Sequence, residues 1–198
     1  MNTVQQRKFV TQNLYAGEKA LRSFRAEFPN VNSNTRYNQL IEKHSNDEDY
    51  AELLSKLRGK SILAGLKLDL MRTTYNQTPN KIDYLKMAVK QQRVANCQER
   101  SFLIHNQLEQ MGVESQNVRI NFVPNSGRDI HKNHAFTVIG LDKNADLKDP
   151  KTWGKNAVIV DAWANIVKRA SEGIDYIKDI FRFNPNAETC EFSAFRNM

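Results

Sequence analysis

The chain has no stretch approaching the roughly 18 apolar residues that a membrane-spanning helix needs. Its 198 residues begin "MNTVQQRKFV", without the apolar core of a secretory signal. Residue 2 is Asn and the last four residues are "FRNM", so no lipidation signal is expected either. Cysteine is scarce: Cys97 and Cys190 are the only two. Two cysteines exclude a secreted-type disulfide scaffold, and both read as thiols in a reducing cytosol. Internal repeats and low-complexity tracts are also missing, which argues against a solenoid.

Hydrophobic residues make up 40% and charged residues 26%, the composition of a globular chain with a real core. The length fits one ordinary domain or one domain with a helical extension, and residues 1–198 read as a single domain. The net charge is +7, with a pI near 9.4. That surplus is dispersed, so no nucleic-acid partner is expected. Its densest piece, "KLRGKSILAGLKLDLMR" (residues 56–72), mixes cations with an apolar pattern and reads as a solvated helix face.

The first half is helical in texture. Val10, Leu14, Leu21, Phe24 and Phe28 follow helical spacing until Pro29. "TRYNQLIEKH" and "NDEDYAELLSKLRG" follow, the second with an acidic start and a stop at Gly59. "SILAGLKLDLMRTTY" and "NQTPNKIDYLKMAVKQQR" are further helices. After Gly112 the period changes to two. Residues 117–124, 134–142 and 157–164 read as three strands, followed by a helix over 165–181 and a polar tail. This order predicts an α+β class, with a helical N-terminal segment over residues 1–78 and a core over residues 79–185 built on a small antiparallel sheet.

Cys97 opens the helix "NCQERSFLIHNQLEQMG". Asn96 is a favoured N-cap, Glu99 stands at the capping-box position, and Gly112 is a natural stop. Unpaired N–H groups and the positive helix end at that point favour a thiolate. Read alone, Cys97 fits a small core hydrophobe as well as a nucleophile. Cys190 has neither a cap nor a periodic helix around it and reads as structural or incidental.

A thiolate nucleophile needs a proton acceptor. His105 lies two helical turns from Cys97, about 12 Å away, and is out of reach. His44 sits at a polar helix end and His131 in a polar loop. His134 opens a strand, where a side chain is both rigidly mounted and open to a cleft. Asp161 is the odd residue in "AVIVDAWA", and a carboxylate in an apolar strand needs a partner. An ordinary ion pair or a strand-ending turn accounts for Asp161 taken singly. A His134 imidazole on the neighbouring strand accounts for both.

The order Cys97, His134, Asp161, with the cysteine at a helix start and the others on consecutive strands, resembles the transglutaminase-like branch of the papain-like cysteine enzymes. The matching pieces are "NCQERSFLIHNQLEQMGV", "NHAFTVIGLD" and "AVIVDAWA", and they cover roughly residues 80–164. The resemblance implies a Cys-bearing helix packed on an antiparallel sheet. It also implies Cys97 as nucleophile, His134 as general base and acid, and Asp161 as orienter, with no cofactor and a protein amide as substrate. The outcome is crosslinking, glutamine deamidation or proteolysis. A second oxyanion donor is implied upstream, at Gln91 or Gln92, and Trp153 and Trp163 are candidate walls of the acyl or amine path. A weaker likeness, "N-C-x-E" with "D-x-W", is to bacterial effectors of the same superfamily, which implies delivery into a host cytosol and a host protein as partner. Two departures stand out: a long stretch between residues 142 and 157, and Asn96 where Gly or Trp usually precedes the Cys.

Two rival readings come from other classes. His131 and His134 with Cys97 and Asp161 have the atoms for zinc, though His-x-x-His in a loop is a weak signal. A degenerate enzyme fold serving as a protein-binding module is the other.

Overall fold

The computed structural model describes residues 3–45, 50–126 and 132–195. They form an α+β structure of six helices and a five-stranded antiparallel sheet. The helices are α1 (Thr3–Glu27), α2 (Asn34–His44), α3 (Ala51–Gln77), α4 (Lys81–Gln92), α5 (Cys97–Gln110) and α6 (Ala170–Ile180). The strands are β1 (Ser115–Pro124), β2 (Lys132–Ile139), β3 (Val158–Asp161), β4 (Ile166–Arg169) and β5 (Glu188–Ala194), in the order β4-β3-β2-β1-β5. Two compact units divide the chain. One is Met1–Ala26 with Arg100–Asn197, and the other is Glu27–Glu99. The boundary expected between a helical segment and a core, near residue 78, falls inside the second unit instead.

In the first unit, the sheet alternates its side chains between two helical layers. Val160, paired with Thr137 across β2 and β3, faces α1: a Cβ on Gly17 would stand 2.8 Å from Val160 Cγ2 and from Val167 Cγ1. Thr137 points to this same face and donates through Oγ1 to the Ser101 carbonyl of α5 (3.0 Å). The other face carries Val118, Ile120, Phe122, Phe136, Val138 and Ile159, all fully or almost fully buried. It is covered by α6, whose Gly173 sits against Ile159. α5 ends as expected: Gly112 takes φ +69°, and the Val113 N–H returns to the Leu108 carbonyl (2.9 Å).

The sheet has two strands more than the sequence pattern predicts. β3 stops at Asp161, and residues after a turn at Asn165 (φ 59°) return as β4, so α6 starts at Ala170 rather than 165. The four residues of β4 are too few to show a period. β5 takes up much of the expected polar tail by pairing with β1, Cys190 opposite Phe122.

Glu188 at the start of β5 accepts from the Asn184 N–H (3.1 Å) and from Lys132 Nζ (3.1 Å). The Asn184 N–H, helped by Lys132 and opposed by burial, holds its carboxyl below the usual glutamate range. A lowered folded value contributes stability above the unfolded value, near pH 4, that is lost as pH falls through the folded one. Glu188→Gln is therefore expected to melt below wild type at neutral pH, with the gap closing in acid. Paired thermal melts from about pH 6 to pH 3 check it.

In the second unit, α3 runs unbroken through Gly59, where two helices were expected. Its buried residues Leu54, Leu57, Ser61, Ala64, Leu68, Met71 and Tyr75 keep the three-four spacing in register across the glycine. Burying that continuous stripe outweighs the roughly 1 kcal/mol that an interior glycine costs. The expected acidic start, residues 46–49, lies outside the described residues. The two ends of this unit meet in a short parallel bridge: Asn32 N–H to the Arg93 carbonyl and Ala95 N–H to the Asn32 carbonyl, both 2.9 Å.

Candidate functional site

β2 and β3 bring His134 and Asp161 together. Their register pairs Thr137 with Val160. One further step sets Asp161 across from Phe136, and His134 shares that face because residues two apart on a strand do. The two are thus diagonal neighbours, and His134 Nε2 lies 2.6 Å from Asp161 Oδ2. Each is 1% exposed. The other carboxylate oxygen, Oδ1, accepts the backbone N–H groups of Trp163 (2.8 Å) and Ala164 (2.9 Å). Those two bonds end β3 and form the turn to β4. They also offset the cost of placing a carboxylate at an apolar position.

Aromatic rings enclose the imidazole. Trp163 meets it edge-on at 5.1 Å between centroids, Phe181 lies at 5.1 Å and Phe136 at 6.2 Å. A carboxylate can only accept, so Nε2 carries the proton and Nδ1 is the basic nitrogen. In an imidazole of that tautomer, backed by a carboxylate held by two amides, Nδ1 is the nitrogen able to take up a proton.

Cys97 belongs to the other unit, at the first position of α5, with its thiol free and half-buried. The capping box is incomplete. Asn96 N–H donates to Glu99 Oε2 (2.9 Å), as the spacing predicts. The Asn96 side chain is not the cap, contrary to expectation. It accepts from Ser33 Oγ and donates to Asn34 Oδ1, both at 2.7 Å, and so ties the starts of α2 and α5 together. The buried carboxylate of Glu99 takes a second bond from Arg72 Nε (2.8 Å). Burial works against the Arg72 charge, but Glu99, Cys97 and Asp69 outweigh it and hold the guanidinium above its ordinary range. Arg72 is the site-proximal residue that sequence reasoning missed. The available signal was Glu99 itself, since an acid at a buried helix start calls for a cation.

Other candidates resolve differently. Gln91 and Gln92 close α4, and Gln92 gives its carbonyl to Lys67 Nζ (3.4 Å). Trp163 adjoins His134, whereas Trp153 is a core residue. It is fully buried, edge-on to Phe192, with its indole N–H on the Asp146 carbonyl (3.0 Å). His105 is bonded to Ser115 Oγ (2.6 Å), and His44 stacks on Tyr50. Cys190 is half-buried on β5. Burial pushes its thiol up, partly countered by Lys178 and reinforced by Glu188. His131, half of the zinc motif, lies outside the described residues. Among those residues, no group of three or more His, Cys, Asp or Glu could hold a metal ion.

No helix among the described residues is long and apolar enough to cross a membrane. No protein-family model, curated protein or solved structure matches the chain.

Proposed function

We propose that the protein is a cysteine-nucleophile acyl-transfer enzyme on a papain-like core, acting on a protein amide through Cys97, His134 and Asp161. The observation that carries the reading is the buried His134–Asp161 pair at 2.6 Å. Within the first unit, Arg100 on α5 donates through Nη1 to the carbonyl of Ala162, the residue after Asp161 (3.1 Å). The proposal adds the step that joins them: the Cys97 thiol gives its proton to Nδ1 of His134.

The thiolate then adds to the amide carbonyl. The oxyanion takes the Cys97 N–H and one side-chain donor, Gln91 or Gln92. As the C–N bond breaks, His134 returns the proton to the departing amine, leaving a thioester on Cys97. Water releases a carboxylate, which is deamidation or proteolysis. A lysine amine releases an isopeptide, which is crosslinking. The likeness to effectors makes a host protein in the cytosol the proposed substrate.

Two measurements test this. Iodoacetamide at neutral pH is expected to label Cys97 at least about tenfold faster than Cys190, and His134→Ala to slow Cys97. Equal, slow labelling of both removes the nucleophile. Mass spectrometry of lysate treated with wild-type or Cys97→Ala protein then names the reaction. A gain of about 1 Da on Gln marks deamidation, a Gln–Lys link marks crosslinking and new termini mark proteolysis. A lysate unchanged by either protein favours a binding module.

A further inference from the structure

The second unit carries a feature that the proposed chemistry does not use. The buried stripe of α3 is matched by a second apolar stripe about half a turn round the helix. Ile62, Leu66 and Leu70, spaced by four, and Leu63 beside them are 66%, 64%, 65% and 55% exposed. A solvated face, as expected for this stretch, carries polar groups there instead. Lys56, Lys60 and Lys67 fall along one border of the stripe, and Arg58 and Asp69 along the other.

Beside Leu63 a recess of about 270 Å³ opens, lined by Lys60, Lys67 and Arg93 together with Tyr37 and Gln92. None of its lining residues is acidic. Three cations around one small recess suit a phosphate group, and the adjoining leucines suit hydrocarbon.

We propose that the outward stripe of α3 and the cationic recess beside it dock the protein on an anionic phospholipid surface, with a headgroup phosphate in the recess and Ile62, Leu63, Leu66 and Leu70 against the acyl boundary. Lysines bordering an apolar stripe can lay their stems along hydrocarbon and keep their charges at headgroup level. A second copy of the chain fits less well. The stripe offers four apolar side chains, far fewer than the roughly 20–30 residues that each partner of a standard interface contributes. A second copy packed antiparallel also sets lysine borders against each other. The lipid surface answers both the apolar area and the charge. Gln91 and Gln92, the candidate oxyanion donors, also line the recess, but the apolar stripe and the three cations take no part in the acyl-transfer reading.

Vesicle co-sedimentation tests it, using phosphatidylcholine alone and phosphatidylcholine with phosphatidylserine. Wild type is expected to sediment with the anionic vesicles only. The triple variant Ile62→Gln/Leu66→Gln/Leu70→Gln, at exposed positions and checked by circular dichroism, is expected to lose that binding. Each lysine is worth about fivefold near such a surface, so Lys60→Ala/Lys67→Ala is expected to weaken binding about 25-fold. The proposal is overturned by equal binding to both vesicle types, by no binding, or by a triple variant that binds like wild type. Complete competition by inorganic phosphate, with the triple variant still bound, reassigns the recess to soluble anions. A stripe-dependent dimer without vesicle binding assigns the stripe to a second copy.

Discussion

In the proposed acyl transfer, Asp161→Asn is expected to lower turnover about a thousandfold or more while leaving the fold largely intact. The reason is which atoms change. In the wild type, Oδ1 of Asp161 holds the turn through Trp163 and Ala164, and Oδ2 faces Nε2 of His134. An asparagine keeps a carbonyl oxygen for the two amides, so the turn survives at a cost of about 1–2 kcal/mol. Its NH2 group now faces Nε2 and can only donate. The ring proton is forced onto Nδ1, and the imidazole presents a donor where the proposed reaction needs a base. Two readouts separate this from simple destabilisation. Nitrogen-15 shifts of the His134 ring report the tautomer, and release of p-nitrophenol from p-nitrophenyl acetate reports acylation and deacylation. An unchanged tautomer, or turnover within a few-fold of wild type, removes Asp161 from the proposed orienting role.

Arg72→Ala carries the largest expected loss of stability, about 3 kcal/mol or roughly 6–12 °C in melting temperature. Glu99 is fully buried, and Arg72 is its only side-chain cation at hydrogen-bond distance among the described residues. Removing Arg72 leaves the carboxylate with the Asn96 N–H alone. The figure is below that for a fully enclosed pair because the Arg72 side chain is 35% exposed and water reaches it. Arg72→Met/Glu99→Gln is expected to recover most of the loss. Neither charge is then left unpaired, and a glutamine oxygen still accepts from Asn96. Calorimetry of Arg72→Met, Glu99→Gln and the double variant reads the coupling directly. Additive losses would mean that the two residues act separately.

Much of this was legible in the sequence because it is local. The helix start at Cys97, the capping-box acid and the Gly112 stop depend on residues within a few positions of one another, and they stand as expected except for the Asn96 side chain. That side chain found Ser33 and Asn34, more than sixty positions away. Asp161 was legible through its cost, since a carboxylate in "AVIVDAWA" had to be answered, and His134 answers it. Arg72 was not legible: its charge is one of many on α3, and nothing local marks it as the one facing Glu99. The same limit hid β5, whose partner β1 lies more than sixty positions away, while β4 is a four-residue return strand paired with its neighbour β3, too short to show a period. Gly59 misled for the opposite reason, because a local stop signal was overridden by the stripe that runs through it.

The first compact unit is discontinuous in sequence, with residues 27–99 inserted between the end of α1 and the body of α5. The Asn32–Val94 bridge clasps the two ends of the insert. An insert that folds early shortens the loop α1 must close to reach the sheet from roughly seventy residues to a handful, worth about 2–3 kcal/mol of closure entropy. The expected folding order therefore begins inside the chain, with the helical unit ahead of the sheet that receives α1. Pulse-labelled hydrogen exchange reads that order as protection across α2–α4 before β1 and β2. Simultaneous protection of both units would show that the clasp forms too late to help.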